Sequence, residues 1–404
     1  MKILVINSGS SSLKFTLFEM AGGQNTVVAS GLVERVGTPT PNLIIKRPDG
    51  FKFEESPEGV KNHADGLRAV CAKLVDPQIG VLKSLSEVAA IGHRVLHGGE
   101  KITAPVKVDE AVKDIIRECI PLGPLHNPAN LSGIEACEEI FAGVPNVAVF
   151  DTQFHQTMPP EAYLYAIPMD YYKKYGIRKY GFHGTSHRFV TLSTAEFLGK
   201  KPEDITIITC HLGNGCSMAA IRGGKCVDTT MGVTPLEGLM MGTRSGDIDP
   251  AALEYVMGQT GMDIHQMLNA LNKQSGLKGI AGRNDMREVV QAAENGDPDA
   301  ETALQMFAYR IQKYIGAYMA VLPRLDAIVF TAGIGQNSIP MRKRVCEGLE
   351  HLGICLDQEK NLVRPDVPVE IQRDGAPLKL LVIPTNEELQ IAIETKAIID
   401  GEKG

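Results

Sequence analysis

Short apolar runs rich in β-branched residues alternate with small polar turns at several points along the chain. Lys2–Ile6 enters the Ser/Gly turn Asn7–Ser12, and the chain leaves that turn through Leu13–Leu17 with apolar residues at every second position. The same arrangement recurs where Ile205–Thr209 enters a glycine turn that the chain leaves through Met218–Ile221. Because alternation with a period of two around a polar turn is typical of a hairpin, the sequence predicts a strand, a turn and a second strand in both halves.

Helical patterns separate further short strands. Apolar residues recur at helical spacing over Ala303–Val321, and strands are predicted at Val147–Phe150, Ala327–Phe330 and Leu380–Ile383. Ala327–Phe330 runs into the glycine-containing segment Thr331–Ser338, as expected for a strand that delivers a glycine loop to a helix N-terminus. Strands that alternate with helices predict an α/β protein.

Length and composition bound the class of protein and its partners. The 404 residues, of which 44% are hydrophobic and 22% charged, exclude disordered, collagen-like and coiled-coil classes. At about 150 residues per domain the length favours two domains, and since no Ser/Gly-rich or Pro-rich linker divides the chain we place their boundary near Phe150. The net charge of −7 and the lack of a long Lys/Arg run argue against nucleic acid and anionic membrane surfaces as partners.

Neither the N-terminal segment nor the spacing of the cysteines indicates a targeting signal, a disulfide framework or a metal site. The N-terminal apolar run stops at Asn7, too early for a signal peptide, and no apolar stretch reaches membrane-spanning length. We therefore expect a cytoplasmic protein. The eight cysteines are scattered without a Cys-x-x-Cys pair, so buried or incidental thiols are expected rather than a disulfide framework or a zinc site.

Familiar nucleotide and metal motifs fail when they are compared residue by residue. Gly213–Met218 and Gly333–Ser338 each lack the third glycine of a dinucleotide-binding loop, which disfavours a Rossmann dehydrogenase. Gly223–Cys226 is not a Walker A motif, because Cys follows its lysine. His183–His187 has the histidine spacing of a metalloprotease but lacks its Glu, so zinc is disfavoured.

The polar turns, with scattered His, Arg and carboxylate residues, are the remaining candidates for chemistry. Asn7–Ser12, with Lys14 just beyond, offers backbone N–H groups and hydroxyls that suit phosphate oxygens, although such a turn alone is more often an ordinary hairpin loop. Arg94 and Arg244 lie among glycines, where a guanidinium can bind an anion bidentately; a lone Arg there is more often a solvated surface residue. Similar polar segments hold His126, Asp151, His155 and His183. Several such segments together indicate an active site.

Read together, these segments resemble the acetokinase family, the acetate kinases, from Asn7 to Leu389. The segments that carry the resemblance are Asn7–Lys14, Gly92–Arg94, His97–Glu100, Pro124–Pro128, Phe150–Met158, Gly181–His187, His211–Gly215, Gly242–Asp247 and Pro384–Leu389. Agreement over so many blocks is highly specific.

The resemblance implies an α/β fold with two duplicated βββαβαβα domains of the ribonuclease H-like, actin-like ATPase type and a cleft between them. Residues 1–150, with about 386–404 packing back on them, would form the N-terminal domain, and residues 151–385 the nucleotide-binding domain. It also implies a homodimer, ATP or ADP as substrate, and Mg²⁺, with Mn²⁺ as a possible substitute.

Site residues follow from the resemblance position by position. The catalytic groups would be Arg94, His126, Asp151, His183 and Arg244. Arg94 and Arg244 would bracket acetate and the moving phosphoryl group, while His183 donates to the phosphoryl oxygens. His126 would assist at those oxygens, and Asp151 would support Arg94 or position acetate. The acetate methyl would be surrounded by Val95, Leu125, Phe182 and Pro235. Nucleotide would be bound by Lys14, His211, Leu212, Gly213, Asn214, Gly215, Asp285, Met286, Arg287, Ala332, Gly333, Ile334, Gly335 and Asn337. Asn7 and Glu387 would hold the metal directly or through water.

Three departures from the family pattern lie in the segments that would hold adenosine and phosphates. Cys216 stands where the family commonly has Gly, and Ala332 and Gln336 stand where it commonly has Gly and Glu. The stretch Gly279–Arg287 is about one residue short and carries Arg283. The resemblance therefore supports acyl phosphate chemistry more strongly than a particular nucleotide.

The implied reaction is reversible, Mg²⁺-dependent, in-line transfer of the ATP γ-phosphoryl group to acetate, which gives acetyl phosphate and ADP. A kinase for propionate or another short-chain acid is the alternative within the family. A non-catalytic ATP-binding clamp would not need the charged residues retained here. A sugar kinase would need an Asp base to activate a hydroxyl, whereas a carboxylate is already a nucleophile.

Overall fold

The structure is a computed structural model that describes residues 1–401. The chain divides into two compact units, one formed by Met1–Gln153 with the C-terminal segment that begins at Asn386, the other by Phe154–Thr385. Within the described residues, no helix combines the length and the apolar character needed to cross a membrane.

The first unit is built on a sheet whose eight described strands run in the order β5-β4-β3-β2-β1-β6-β8-β7. The strands are β1 (Lys2–Ser8), β2 (Ser12–Ala21), β3 (Gln24–Glu34), β4 (Asn42–Lys46), β5 (Lys52–Glu55), β6 (Val88–Val95), β7 (Val106–Lys107) and β8 (Asn146–Phe150). Strand β1 pairs antiparallel with β2 and parallel with β6, and β6 pairs parallel with β8. The hairpin predicted around Asn7–Ser12 is confirmed.

The second unit repeats this plan in a sheet with the described order β11-β10-β9-β12-β14-β13. Its strands are β9 (Thr206–Leu212), β10 (Cys216–Arg222), β11 (Lys225–Thr229), β12 (Ala327–Thr331), β13 (Val369–Glu370) and β14 (Lys379–Val382). Strand β9 pairs antiparallel with β10 and parallel with β12, which pairs parallel with β14. The first unit thus has five strands in antiparallel order, β1 to β5, and the second has three, β9 to β11. Parallel strands follow in both units, so the predicted duplicated α/β architecture is confirmed.

Helices connect the parallel strands in both units. They are α1 (His63–Leu74), α2 (Glu110–Glu118), α3 (Asn127–Ile140), α4 (Pro160–Tyr163), α5 (Met169–Tyr175), α6 (Gly184–Phe197), α7 (Pro250–Thr260), α8 (Ile264–Lys273), α9 (Gly276–Ala281), α10 (Met286–Glu294), α11 (Pro298–Val321), α12 (Ala332–Asn337), α13 (Ile339–Cys346) and α14 (Glu387–Ile399). Helices α7 and α11 both begin at an Asp-Pro pair, where Asp249 and Asp297 accept N–H bonds from the first turn. An acceptor side chain followed by proline is a common helix start, and the predicted helix over 303–321 is confirmed as part of α11.

The glycine-containing segment after β12 differs from its prediction. It is not a loop, because Ala332–Asn337 forms a short helix of its own before α13 begins. The chain turns at Ala332, whose φ of 62° lies in the left-handed region. A Cβ at Gly335 would lie 3.3 Å from the Phe330 carbonyl carbon, so glycine there favours the close approach of this helix to the strand.

Helix α14 returns to the first unit and packs on β6, β1 and β8. Its Ile391 joins a buried cluster with Ile3, Val5 and Val147. A Cβ at Gly92 would lie 2.4 Å from Thr395 Oγ1, so glycine lets the helix lie directly on β6. This packing fixes Glu387, the first residue of α14, within the first unit.

Candidate active site

In the first unit, three predicted site residues lie where parallel strands end. Asn7 stands near the end of β1, Arg94 near the end of β6, and Asp151 directly after β8. The register pairs Arg94 with Val149 and Val95 with Phe150. Because the carboxyl ends of parallel strands meet at one sheet edge, side chains from distant parts of the sequence converge there.

Arg94 and Asp151 form a bidentate ion pair at this edge. Arg94 Nε donates to Asp151 Oδ1 at 3.0 Å and Nη2 donates to Oδ2 at 2.5 Å. The Asp151 side chain is only 1% exposed, whereas that of Arg94 is 21% exposed. The remaining terminal nitrogen, Nη1, lies 3.5 Å from Asn7 Oδ1. Asp151 thus holds the guanidinium in one orientation and leaves its other edge toward the pocket.

Burial and charge act in opposite directions on Arg94. Burial alone lowers its pKa, but the Asp151 carboxylate, helped by Glu387 and Glu388, more than offsets this and raises it. Arg94 therefore stays charged at any working pH.

A pocket brings the other predicted residues of this unit beside Arg94. It is lined by Asn7, Ser8, Gly9, Ser12, Lys14, Arg94, Leu96, His126 and Asn130. The Ser/Gly turn, Lys14 and His126 thus line one pocket with Arg94. His126 stands at the N-cap position of α3.

Asn130 is a pocket residue that the sequence analysis missed. Its Nδ2 donates to the Ser8 carbonyl at 2.8 Å and its Oδ1 accepts from Leu96 N at 3.0 Å. A Cβ at Gly133, one turn further along α3, would lie 2.3 Å from Ser8 Oγ. Helix α3 therefore fixes the ends of β1 and β6 together. The signal in the sequence was an Asn and a Gly three residues apart on one helix face.

Glu387 supplies a further carboxylate in the first unit. Burial raises the pKa of Glu387 above its ordinary value, and the nearby cations Arg94 and Lys14 oppose that rise. Among residues 1–401, no group of three or more His, Cys, Asp or Glu side chains is arranged to hold a metal ion. Two oxygen donors, Asn7 and Glu387, suit an ion such as Mg²⁺ that keeps most of its waters and binds phosphate oxygens.

In the second unit, His183 and Arg244 converge on the β9–β10 turn. A Cβ at position 215 would lie 3.4 Å from both Arg244 Nη1 and His183 Nε2, so both side chains face Gly215. His183 has a φ of 56°, a left-handed conformation, and stands at the N-cap position of α6. Such strain in a non-glycine residue is characteristic of functional positions.

Arg244 has a different environment from Arg94. Its Nη1 lies 3.4 Å from the Pro235 carbonyl and 3.7 Å from Met241 Sδ. No carboxylate of the described chain forms an ion pair with it, and burial lowers its pKa. A half-buried guanidinium without a counter-ion loses part of its hydration without compensation, so this position suits binding of an external anion.

Four histidines of the second unit lie near one another. His183 stacks on His211 with ring centres 4.1 Å apart, and His155 meets His187 edge-on at 5.5 Å. His155 Nε2 donates to the Phe182 carbonyl at 2.9 Å, which anchors the residue before His183. His155 is thus a supporting residue.

The predicted nucleotide segments of this unit also meet at one sheet edge. His211 on β9 pairs with Thr331 on β12, so the turn Gly213–Gly215 and the start of α12 are neighbours. A Cβ at Gly213 would lie 3.9 Å from that of Ala332. The Asn214 carbonyl accepts from Gly242 N at 3.0 Å, which ties the turn to the Arg244 segment.

The segment Asp285–Arg287 starts α10. Asp285 caps the helix by accepting from Arg287 N at 2.8 Å, and its carboxylate also pairs with the Arg287 side chain. Met286 is buried, whereas the Arg287 side chain is 90% exposed. These contacts give the segment a local structural role in addition to the predicted role in nucleotide binding.

The departures from the family pattern have defined partners. Cys216 is fully buried and its Sγ donates to the Gly213 carbonyl at 3.1 Å; all eight cysteines are free and seven are buried. Gln336 Nε2 donates to the Pro365 carbonyl at 2.7 Å. Arg283 pairs with Asp297 at 3.1 Å.

Arg342 is a supporting residue that the sequence analysis missed. It is 1% exposed and donates to the carbonyls of Gly335, Gln336, Asn361 and Val363 at 2.6 to 3.1 Å. Burial lowers its pKa to about 10. It fixes the end of α12 against the 361–363 segment, and only the tertiary structure reveals it.

The four residues expected around an acetate methyl are divided between the units. In the first unit Val95 is 0% exposed within an apolar cluster that includes Phe150, and Leu125 is 58% exposed. In the second unit Phe182 is 1% exposed and Pro235 is partly exposed. Val95 and Phe182 thus also serve as core residues of their own units.

Known proteins resemble this chain over almost its full length. The sequence model of the Acetokinase family matches residues 2–393. The chain is 54% identical to the acetate kinase of Oleidesulfovibrio alaskensis over 404 residues, which cover 99% of the chain and 100% of that protein. Its fold matches the crystal structure of Porphyromonas gingivalis acetate kinase with a TM-score of 0.94 at 43% identity, over 98% of the chain and 99% of that structure. A propionate kinase from Francisella tularensis matches with a TM-score of 0.91 at 43% identity, over 98% and 99%.

Proposed function

The chain belongs to the acetokinase family, and from this premise we propose that it is an acetate kinase. The reaction is reversible in-line transfer of the γ-phosphoryl group of ATP to acetate. An acetate oxygen forms a bond to the γ-phosphorus while the bond from that phosphorus to the bridging oxygen of ADP breaks, and the electron pair leaves with ADP. Acetyl phosphate and ADP are the products.

The observation that supports this proposal most directly is the ion pair of Asp151 with Arg94. Both of its carboxylate oxygens accept from Arg94, so it is committed to orienting a cation. A sugar kinase needs such an Asp as a base to remove a hydroxyl proton, whereas acetate is ionised at neutral pH and needs none. The pocket thus suits a carboxylate acceptor.

Positive charge and hydrogen-bond donors supply the catalysis in this proposal. Phosphoryl transfer requires aligned reactants and neutralisation of the charge on the phosphoryl oxygens. Arg94 orients acetate, while Arg244 and His183 bind the phosphoryl oxygens. His126 assists from the turn at the start of α3. The turn Gly213–Gly215 and the start of α12 hold the phosphates and adenosine.

Asn7 and Glu387 are the residues proposed to hold Mg²⁺, or Mn²⁺ in its place. The ion, when bound, offsets negative charge on the phosphates. Their oxygens suit a hard cation that keeps several waters.

The two units take different parts in this proposal. Residues 1–150, with the segment from about 386, form the N-terminal domain, and residues 151–385 form the nucleotide-binding domain. A cytoplasmic location stays a prediction of the sequence.

A homodimer is proposed from the apolar surface of the second unit. Helix α7 has no buried residue, and Tyr255 is 70% exposed. Ile264 and Leu268 on α8 are 47% and 41% exposed. Large exposed apolar side chains clustered on adjacent helices are typical of protein interfaces. Sedimentation velocity of the purified chain tests this; a monomer at micromolar concentration would contradict it.

The activity is tested with Mg-ATP and a panel of acetate, propionate, butyrate and glucose. Acyl phosphate is trapped with hydroxylamine, and ADP is measured by a coupled assay. We expect acetate-dependent formation of both products in equal amounts. ATP binding without any acetate-dependent product would support the clamp function instead, and ADP formation with glucose alone would support a sugar kinase.

Propionate is the second candidate acceptor, because the Francisella propionate kinase structure matches this chain almost as well as the acetate kinase structure does. The same panel separates them, since kcat/KM for propionate above that for acetate would reassign the substrate.

A further inference from the structure

A continuous line of hydrogen bonds ends at His183 within the second unit. His183 Nδ1 lies 2.9 Å from Ser217 Oγ, and that hydroxyl lies 2.8 Å from His187 Nε2. His187 Nδ1 lies 2.7 Å from Thr209 Oγ1. The three residues behind His183 are fully buried, so water does not replace any link.

The secondary structure brings these four residues together. Thr209 and His211 alternate on β9, and Ser217 pairs with His211 across the hairpin, so Thr209 and Ser217 face the same side of the sheet. His183 and His187 are four residues apart at the start of α6, which places them on one face of that helix. The line therefore connects the sheet to the helix terminus that carries the proposed catalytic group.

The direction of the bonds follows from counting hydrogens, beginning at Thr209. Its hydroxyl has one hydrogen, and His187 Nδ1 is the one hydrogen-bond partner of that hydroxyl in residues 1–401. If Thr209 accepted from His187, its own hydrogen would be buried without an acceptor, which costs free energy. Thr209 therefore donates to His187 Nδ1.

Once Thr209 is the donor, the donor and acceptor of the other two hydrogen bonds are also fixed. Burial lowers the pKa of His187 well below its ordinary value, and His155 and His211 add to this effect, so the ring is neutral. With Nδ1 accepting, the single ring hydrogen of His187 lies on Nε2 and is donated to Ser217. Ser217 uses its own hydrogen to donate to His183 Nδ1, so a neutral His183 carries its hydrogen on Nε2.

We propose that Thr209, His187 and Ser217 are positioning residues that hold His183 as the neutral Nε2–H tautomer. Nε2 faces Gly215 together with Arg244 Nη1. His183 thus offers a hydrogen-bond donor toward the anion-binding position without being protonated. This proposal rests on the proposed function only for the identity of the anion, the phosphoryl group; the tautomer itself is a property of the free protein.

A protonated His183 would conflict with this arrangement. Its Nδ1 would become a donor, so Ser217 would have to turn toward His187, and the line would have to reverse as far as Thr209. Groups near His183 include His211, stacked at 4.1 Å, His187, linked to it through Ser217, and Arg244, whose Nη1 faces Gly215 together with His183 Nε2. None of these groups favours a positive charge on the His183 ring.

The direct test is nitrogen NMR of the whole protein with ring-labelled histidine, with the His183 signals assigned by their loss in His183→Asn. In the wild type near neutral pH we expect Nδ1 without a proton and Nε2 with one. Thr209→Val keeps the shape of the side chain but removes the hydroxyl that sets the direction of the hydrogen bonds. Both tautomers of His183 should therefore be populated in this variant. Thr206→Val is the matched control, because Thr206 lies on the same strand, is also buried at 3% exposure, and faces the other side of the sheet.

Two NMR outcomes would overturn the proposal. One is a wild-type His183 that carries its proton on Nδ1 or is protonated on both nitrogens. The other is a Thr209→Val spectrum identical to that of the wild type. Ser217→Ala provides a second probe, since it removes the donor to Nδ1 directly and should also mix the tautomers.

Kinetics separate positioning from a merely structural role. Thr209→Val should lower kcat by about threefold to tenfold, the scale of one lost hydrogen bond, with the KM for acetate unchanged. Thr209→Ser, which keeps the hydroxyl, should restore kcat. Equal kcat values for the Val and Ser variants would overturn the positioning role. If the wild type makes no acyl phosphate but shows the expected tautomer, the proposed function fails and the assignment of the tautomer stands.

Discussion

The two arginines at the centre of the proposed chemistry, Arg94 in the first unit and Arg244 in the second, are held in opposite ways. Arg94 shares a bidentate ion pair with the buried Asp151, whereas Arg244 contacts a carbonyl and a thioether. A guanidinium paired with a carboxylate is oriented before substrate arrives, but the pair as a whole carries little net charge. An unpaired one costs more to bury and binds an incoming anion more strongly.

The surroundings of the two arginines extend this contrast. Asp151, Glu387 and Glu388 all act on Arg94 and make its surroundings acidic. Around Arg244, the proposed donor is a histidine backed by a buried hydrogen-bond line. In the proposed function, this contrast would let the first unit orient the acceptor and a cation, and the second unit receive the negative charge of the phosphates.

The largest expected effect comes from removing each arginine in turn. Arg94→Ala and Arg244→Ala should each lower kcat by roughly 10² or more, because each removes a donor to the transition state. Their effects on stability should differ. Arg94→Ala leaves the Asp151 carboxylate buried without a partner, which costs about 3 to 5 kcal/mol of folding free energy. Arg244→Ala removes a half-buried unpaired charge and should leave stability unchanged or higher.

Urea unfolding and steady-state kinetics of the two variants measure both effects. The double variant Arg94→Met, Asp151→Leu is the control, since it removes both charges and should recover stability without recovering activity. Equal loss of stability in the two single variants would remove the contrast between the arginines. A fall in kcat of less than about threefold in a folded variant would remove that arginine from the transition state.

The sequence predicts the surroundings of Arg94 better than those of Arg244 and His183. Asn7, Arg94 and Asp151 each follow a recognisable apolar strand, so their convergence at a sheet edge could be expected. The partners of His183 could not, because Ser217 and Thr209 are ordinary strand residues whose role depends on the packing of α6. Arg342 is invisible for the same reason, since its carbonyl acceptors lie on segments far apart in sequence.

The next largest effect is expected at Val95, on the apolar side of the proposed acceptor site in the first unit. Val95 is next to Arg94 and fully buried, and we propose that it limits the size of the acid. In the wild type, kcat/KM should fall from acetate to propionate to butyrate by about 1 to 3 kcal/mol per methylene. Val95→Ala should raise propionate and butyrate relative to acetate, and it should also lose some stability because Val95 is a core residue.

The measurement is kcat/KM for the three acids in both proteins. A matched control is Val149→Ala, also fully buried but on the neighbouring strand and in a different apolar cluster. Identical acid preferences in wild type and Val95→Ala would show that Val95 belongs to the core alone.

A smaller effect is expected at Gln336 in the second unit. Its Nε2 donates to the Pro365 carbonyl, and a carboxylate cannot make that bond. Gln336→Glu would place two acceptors against each other and shift the end of α12, so the KM for nucleotide should rise about threefold to tenfold, the scale of one hydrogen bond. The KM for acetate should stay the same. Titrations of ATP, GTP and acetate measure this, and a change confined to acetate would move this segment out of the nucleotide site.

The smallest effect concerns a third arginine, whose charge is paired but exposed. Arg287 bonds to Asp285 with 90% of its side chain exposed, so its ion pair is screened by water. Arg287→Ala should therefore leave the free energy of unfolding close to that of the wild type, unlike Arg94→Ala. If Arg287 also contacts nucleotide, the KM for ATP should rise while kcat and the KM for acetate stay constant, and the rise should shrink with added salt as the charge is screened. Arg287→Lys keeps the charge and is the matched variant. An unchanged KM for ATP would leave Arg287 as a surface ion pair at the start of α10, with no part in the positive charge that the second unit presents to the phosphates.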